Sequence, residues 1–370
     1  MTNFPGFIAV HLGIGNFTNS WSDSGRDLIE KACIAGIDEL NKTDCSRLAI
    51  VKAISILENS SLTNAGFGSN LNQAGEVECD ASLMEGQSGL YGSVGALQEV
   101  ANPIAVAFDL LEQQKIPRPL GLLPPDFLVG EGARNFALTN GHLMRNLRSS
   151  KSFKRYRKYL KLLESENHMI ENSEVNKSQE FSVVEDQRVS VDEGDIETCI
   201  ISSENYMKKQ RLDTVGAIAI DSNGNISVGS SSGGIALKYP GRVGSAARIG
   251  AGCWADIDVG VTATGNGEYI ARSFLSREVC KSLSEGKIQS NIKDIFLNNR
   301  LMNDIKKDDL TAAFIATKID TEKQQINFIC DAYGGNIFFG FKTTSSELVT
   351  KFLTSSVEKE ESFYSTAVNN

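Results

Sequence analysis

Three histidines, His11, His142 and His168, are all that the 370 residues contain. A histidine-based triad or a histidine-rich metal site therefore has few candidates. The pair at helical spacing, Glu164 with His168, lies in a polar stretch and reads as solvated rather than as a ligand set, so neither a metal nor a cofactor is expected. A different chemistry is open at Leu212-Asp213-Thr214-Val215-Gly216, where a polar segment runs into a strand-like one. If the bond before Thr214 is cut, the new α-amine lies beside its own hydroxyl. Such an amine titrates near roughly 7.7–8.0, so it can accept the hydroxyl proton at working pH without a histidine. Taken alone, a threonine at a strand start is usually structural, because threonine is simply a good strand former.

Two further elements converge on that residue. Thr214–Ile220 and Ile226–Ser230 alternate around Asn223-Gly224, a strong hairpin signal. With Asn223-Gly224 as a two-residue turn, Thr214 faces Gly233 and Ser232 faces Val215. A hydroxyl from Ser231 or Ser232 then returns beside Thr214, and Gly233 and Gly234 leave space around it. Without that pairing, Ser230-Ser231-Ser232-Gly233-Gly234 reads as a flexible turn. Thr264-Gly265-Asn266-Gly267-Glu268 sits where a strand becomes a helix, and backbone N–H groups there can hold a tetrahedral oxyanion. By itself, this motif is a turn signal.

The elements that must position these residues are legible in outline. Phe7–Val10 is a buried strand ending in His11-Leu12-Gly13-Ile14-Gly15, and helices are expected around Leu28–Leu40, Asp44–Glu58 and Pro103–Leu111. Glu76–Met84, Asp258–Thr264, Leu310–Thr317, Gln325–Asp331 and Asn336–Lys342 read as strands, and Gly265–Leu283 as one helix. Lys238 and Arg248 belong to a basic, glycine-rich loop and read as its solvated face. The segment 150–212 is different in kind, with no proline, one glycine and a heavy load of Ser, Asn, Glu and Lys. It reads as a mostly disordered insert containing one amphipathic helix, with a basic run at Lys154-Arg155-Tyr156-Arg157-Lys158. Strands and helices without a regular βαβ repeat suggest an α+β layered sandwich.

The net charge of −9 argues against direct nucleic-acid binding. No apolar run reaches the length of a membrane span. Met1–Val10 lacks the pattern of a secretory signal, and seven scattered cysteines without a CxxC pair suit a reducing compartment, nucleus or cytoplasm.

Taken in order, Asn64-Ala65-Gly66-Phe67-Gly68-Ser69, Glu78-Cys79-Asp80-Ala81-Ser82, Asp213-Thr214-Val215-Gly216-Ala217, Ser231-Ser232-Gly233-Gly234, Pro240-Gly241-Arg242-Val243-Gly244 and Thr264-Gly265-Asn266-Gly267-Glu268 resemble the asparaginase type 2 family of N-terminal-nucleophile hydrolases. The resemblance covers nearly the whole chain outside 150–212. It implies a four-layer αββα sandwich, one domain cut once into an α-part (1–213) and a β-part (214–370), and Thr214 as the nucleophile. It also implies Ser232 as the residue that orients it, Thr264 and Gly265 at the oxyanion, Arg242 and Gly267 at the substrate, and Asn64 as a positioning residue. Two departures occur: His11-Leu12-Gly13-Ile14-Gly15 replaces the family's His-Gly-Gly-Ala-Gly, and Met84-Glu85-Gly86 its Met-Asp-Gly.

Within the family, asparaginases carry an aspartate three residues after the arginine of the GRVG motif, where it holds the substrate's free ammonium. Here that position is Ser245. A free amino acid then loses its charge partner, whereas an internal peptide loses nothing, and Arg242 still suits a side-chain carboxylate. Asp213 presents such a carboxylate at the self-cleavage site. The expectation is an endopeptidase acting on proteins after aspartate, as a homodimer of processed protomers. The alternatives are an asparaginase or β-aspartyl peptidase on the same scaffold, and an inactive homologue that only binds a partner.

Overall fold

Strand β1 (Phe7–Gly15) is buried along its entire length, and a strand buried on both faces needs a layer on each side. The computed structural model describes residues 4–15, 19–178, 214–287, 292–297, 310–355 and 362–368, and supplies both layers. Asp213 and the part of the insert after residue 178 lie outside the described residues.

One face of β1 turns to helices α1 (Asn19–Thr43), α2 (Ser46–Glu58) and α3 (Pro103–Gln113). There Ile8, Val10 and Leu12 pack with Ile29, Ile50, Ile54 and Ile104. Strand β1 belongs to an eight-stranded sheet that also contains β2 (Cys79–Glu85), β3 (Tyr91–Leu97), β4 (Phe127–Val129), β5 (Val215–Ile220), β6 (Ile226–Ser232), β11 (Asn336–Thr343) and β12 (Val349–Thr354). Their order is β12-β11-β1-β5-β6-β2-β3-β4. A five-stranded sheet lies against its other face, built from β7 (Cys253–Ala255), β8 (Val259–Gly265), β9 (Ala312–Asp320), β10 (Gln325–Tyr333) and β13 (Ser362–Val368) in the order β13-β10-β9-β8-β7. Phe7, Ile218, Val228, Ile315, Phe328 and Phe339 fill the space between the sheets. Helices α6 (Gly267–Ser273), α7 (Leu275–Ser284) and α8 (Ile292–Leu297) cover the second sheet through Val261, Phe314, Leu275 and Val279. The result is the expected α+β sandwich with layers α, β, β, α. Helices α4 (Gly130–Thr139) and α5 (Ser150–Ser178) flank it, and α5 covers the basic run.

Two expectations are corrected. The β5–β6 hairpin pairs Val215 with Ser231 and Ile220 with Ile226, one residue away from the register of a two-residue turn. Both primed two-residue turns need positive φ at the first central residue, here Asn223, but only Gly224 (φ 82) has it. Instead, the Asp221 carboxylate accepts the N–H groups of Asn223 and Asn225 and widens the loop by one residue. The long helix expected over Gly265–Leu283 is two helices, broken at Phe274 with φ 51. Strands β3, β12 and β13 and helix α4 had no periodic signal strong enough to read; β12 is a partly exposed edge strand.

Candidate active site

The hairpin correction brings Ser232, not Gly233, across from Thr214. Thr214 is 6% exposed and its Oγ1 donates to Ser232 Oγ at 3.2 Å. Ser232 Oγ also accepts the Gly234 N–H at 3.0 Å, which fixes the hydroxyl and leaves its own proton to donate. Ser231 points the opposite way, as alternation demands, and donates to the buried Glu58 at 2.7 Å.

Residues Thr214, Gly216 and Ile218 share the face of β5 that looks into the space between the sheets. A Cβ on Gly216 would collide with Thr262 of β8 and with His11, so glycine is what lets the two sheets close here. Two residues further along each strand, Thr264 continues the Thr262 face towards Thr214, and Gly265 lines the cleft. Gly265 has φ 142 and its missing side chain makes room for the backbone at Thr311.

The cleft is lined by Asn64, Thr214, Ser232, Arg242, Ser245, Gly265 and Gly267 among others. It therefore collects most of the residues expected from the sequence; Thr264, fully buried, stands behind it. Asn64 holds the Gly233-Gly234 backbone: its side-chain Nδ2 donates to Gly234 O at 2.8 Å and its main-chain carbonyl accepts the Gly233 N–H at 2.7 Å. Gly233 and Gly234 are not surrounded by free space, because a Cβ at Gly233 would run into Ser69 and Asn64, and one at Gly234 would lie 2.9 Å from Arg242.

Arg242 closes a tight turn, Tyr239-Pro240-Gly241-Arg242, with its N–H on Tyr239 O at 3.0 Å and φ 82 at Gly241. Proline second and glycine third suit a type II turn. Glu78 grips that turn, accepting the Gly241 N–H with both oxygens at 3.0 Å. Asp80, wholly buried on β2, accepts the Gly244 N–H at 2.7 Å. Lys238 overturns the expectation of a solvated residue. It is 2% exposed, donates to Glu78 O at 2.8 Å and lies 4.0 Å from the Glu78 carboxylate. Arg248, in contrast, is exposed. Glu78 and Asp80 hold this loop through Gly241 and Gly244, a role that sequence alone signals only by their spacing of two, which puts them on one side of a strand.

Burial lowers the pKa of His11 to about 3, which makes its ring a weak proton acceptor; Nδ1 accepts the Gly13 N–H and the ring's Nε2 faces Thr262. Among the described residues no cluster of His, Cys, Asp and Glu is arranged to hold a metal, and the six described cysteines are free thiols.

Residues 5–304 match the sequence profile described as asparaginase. The chain belongs to the asparaginase family. Among its relatives, an isoaspartyl peptidase/L-asparaginase of Xenopus laevis is 33% identical over 295 residues, covering 79% of this chain and 80% of that one. A human isoaspartyl peptidase/L-asparaginase is 32% identical over 268 residues, covering 72% and 73%. An isoaspartyl peptidase of Escherichia coli is 28% identical over 285 residues, covering 75% and 77%. The family carries the N-terminal-nucleophile hydrolase fold, in agreement with the two facing sheets, and the chain is a hydrolase of that type.

Proposed function

We propose that this member of the family is a self-processing threonine endopeptidase that cuts protein substrates after aspartate, a reading that resembles threonine aspartase 1 (taspase). The observation that carries it is Ser245. This residue is buried at the cleft beside Arg242 and Gly267, where a carboxylate would be needed to hold a free amino acid's ammonium. Arg242 supplies the charge for an aspartate side chain, and nothing at Ser245 asks for a charged amine.

The chemistry runs in two stages. In the precursor, Thr214 Oγ1 attacks the Asp213 carbonyl, the acyl group passes from nitrogen to oxygen, and water hydrolyses the ester. That frees the Thr214 α-amine, which then serves as base while the same hydroxyl attacks a substrate carbonyl. Ser232 orients the hydroxyl, Thr264 and the Gly265 N–H stabilise the oxyanion, and Arg242 with Gly267 receives the aspartate. Localisation to nucleus or cytoplasm and a dimer of processed protomers accompany this reading.

A second reading is favoured by the names of the relatives: an isoaspartyl peptidase or asparaginase on the same scaffold. Thr214→Ala should leave one full-length band on a denaturing gel where the unaltered protein yields two fragments. Peptides with aspartate before the scissile bond should be cut, and free asparagine and β-aspartyl dipeptides should not. Efficient turnover of the latter pair would establish the second reading instead.

A further inference from the structure

The arginine that the proposed function assigns to the substrate's aspartate is already paired. Arg242 Nε and one terminal nitrogen donate at 2.9 and 2.6 Å, both to the same Glu268 oxygen. The two partners are unequally held: the Arg242 side chain is 15% exposed and the Glu268 side chain 59%. Backbone confines the guanidinium elsewhere. A Cβ on Gly234, Gly244 or Gly267 would stand 2.9, 2.8 or 2.8 Å from its terminal nitrogens. The Nε edge, where Glu268 sits, is thus an edge a carboxylate can reach, and it is the edge suited to a two-point carboxylate contact.

We propose that Glu268 is an internal competitor at the Arg242 subsite that sets its affinity for a substrate carboxylate. It occupies the guanidinium while the cleft is empty, and a substrate carboxylate binds by exchanging with it. A neutral side chain brings no charge to exchange and leaves the Arg242–Glu268 pair in place, so displacing Glu268 weighs on acidic side chains alone and sets how tightly Arg242 holds them. The inference rests on reading Arg242 as the aspartate-binding residue, but not on turnover.

Binding of succinate, which carries the carboxylate of an aspartate side chain, tests it by titration calorimetry on the full chain. Glu268→Gln and Glu268→Ala, both at an exposed position, should tighten succinate by about fivefold, the scale of one exposed ion pair. Succinamate, in which an amide replaces one carboxylate, should gain less. Weaker succinate binding in both variants would mean that Glu268 only aligns Arg242, and overturns the exchange. Unchanged binding, or none to any form, also overturns it. If succinate tightens as expected but aspartyl peptides are not cut, the endopeptidase reading fails and the carboxylate exchange stands.

Discussion

In the proposed reaction, in which the base is the nucleophile's own α-amine, Thr214 and Ser232 need little else to be prepared. One hydrogen bond of 3.2 Å and one backbone anchor at Gly234 hold the hydroxyl pair. The titratable group behind that pair is Glu58. It is fully buried at the end of α2 and accepts hydrogen bonds from Ser231, Asn102 and the Ile104 N–H. Burial raises its pKa from 4.5 to about 7, against the opposing pull of these hydrogen bonds. Between those values the folded protein keeps a proton that the unfolded chain has released. The stabilisation is therefore complete below about pH 4.5 and is lost as pH rises through 7. Glu58→Gln removes this dependence. Its Tm relative to the unaltered protein should rise from pH 5 to pH 8 in calorimetry, and a constant difference would refute the assignment.

At the scale of elements, the loop between β6 and β7 places Arg242, and the start of β2 places the loop. Glu78 and Asp80 hold the Gly241 and Gly244 N–H groups, while Lys238 ties the same loop to Glu78 from within. Glu78→Ala leaves a buried ammonium short of its charge partner, a loss of about 3 kcal/mol or more. Denaturant unfolding should show that loss, and KM for aspartyl peptides should rise as Arg242 moves. Replacing the ion pair together, Glu78→Gln with Lys238→Met, should recover much of the stability, because both charges then leave the interior. Helix α5 also reaches this region: the Tyr156 hydroxyl donates to Gln73 O at 3.2 Å. The start of the insert thus packs on the segment that follows Asn64.

For the whole molecule, the space between the sheets is the largest shared investment. Phe328 stands 4.7 Å from Phe341 and 5.3 Å from Phe339, ring centre to ring centre, and so joins β10 of one sheet to β11 of the other. Phe328→Ala should cost about 3–5 kcal/mol, read as a lower denaturant midpoint for the entire fold. Because β5 and β8 face each other across that space, self-cleavage should slow as well.

What could be read in advance divides along the same scales. Features that act locally were legible: a scarcity of histidine, the residue types Thr214 and Ser245 on which the proposed function rests, and helices such as α2 and α3 whose apolar spacing is periodic. These depend on side-chain chemistry and on a repeat of a few residues. The register of β5 and β6 was not legible, since it hung on whether Asn223 would take positive φ or Asp221 would cap the loop. The burial of Lys238 and the Arg242–Glu268 pair were also hidden, because each joins segments distant in sequence, and a lysine or glutamate reads as solvated until something folds over it. The sequence by itself determined the layered fold, and it supplied the residue types on which the proposed nucleophile and carboxylate subsite rest. Only the tertiary structure decided which hydroxyl meets Thr214 and which carboxylate already occupies Arg242, because both follow from long-range packing that no local pattern encodes.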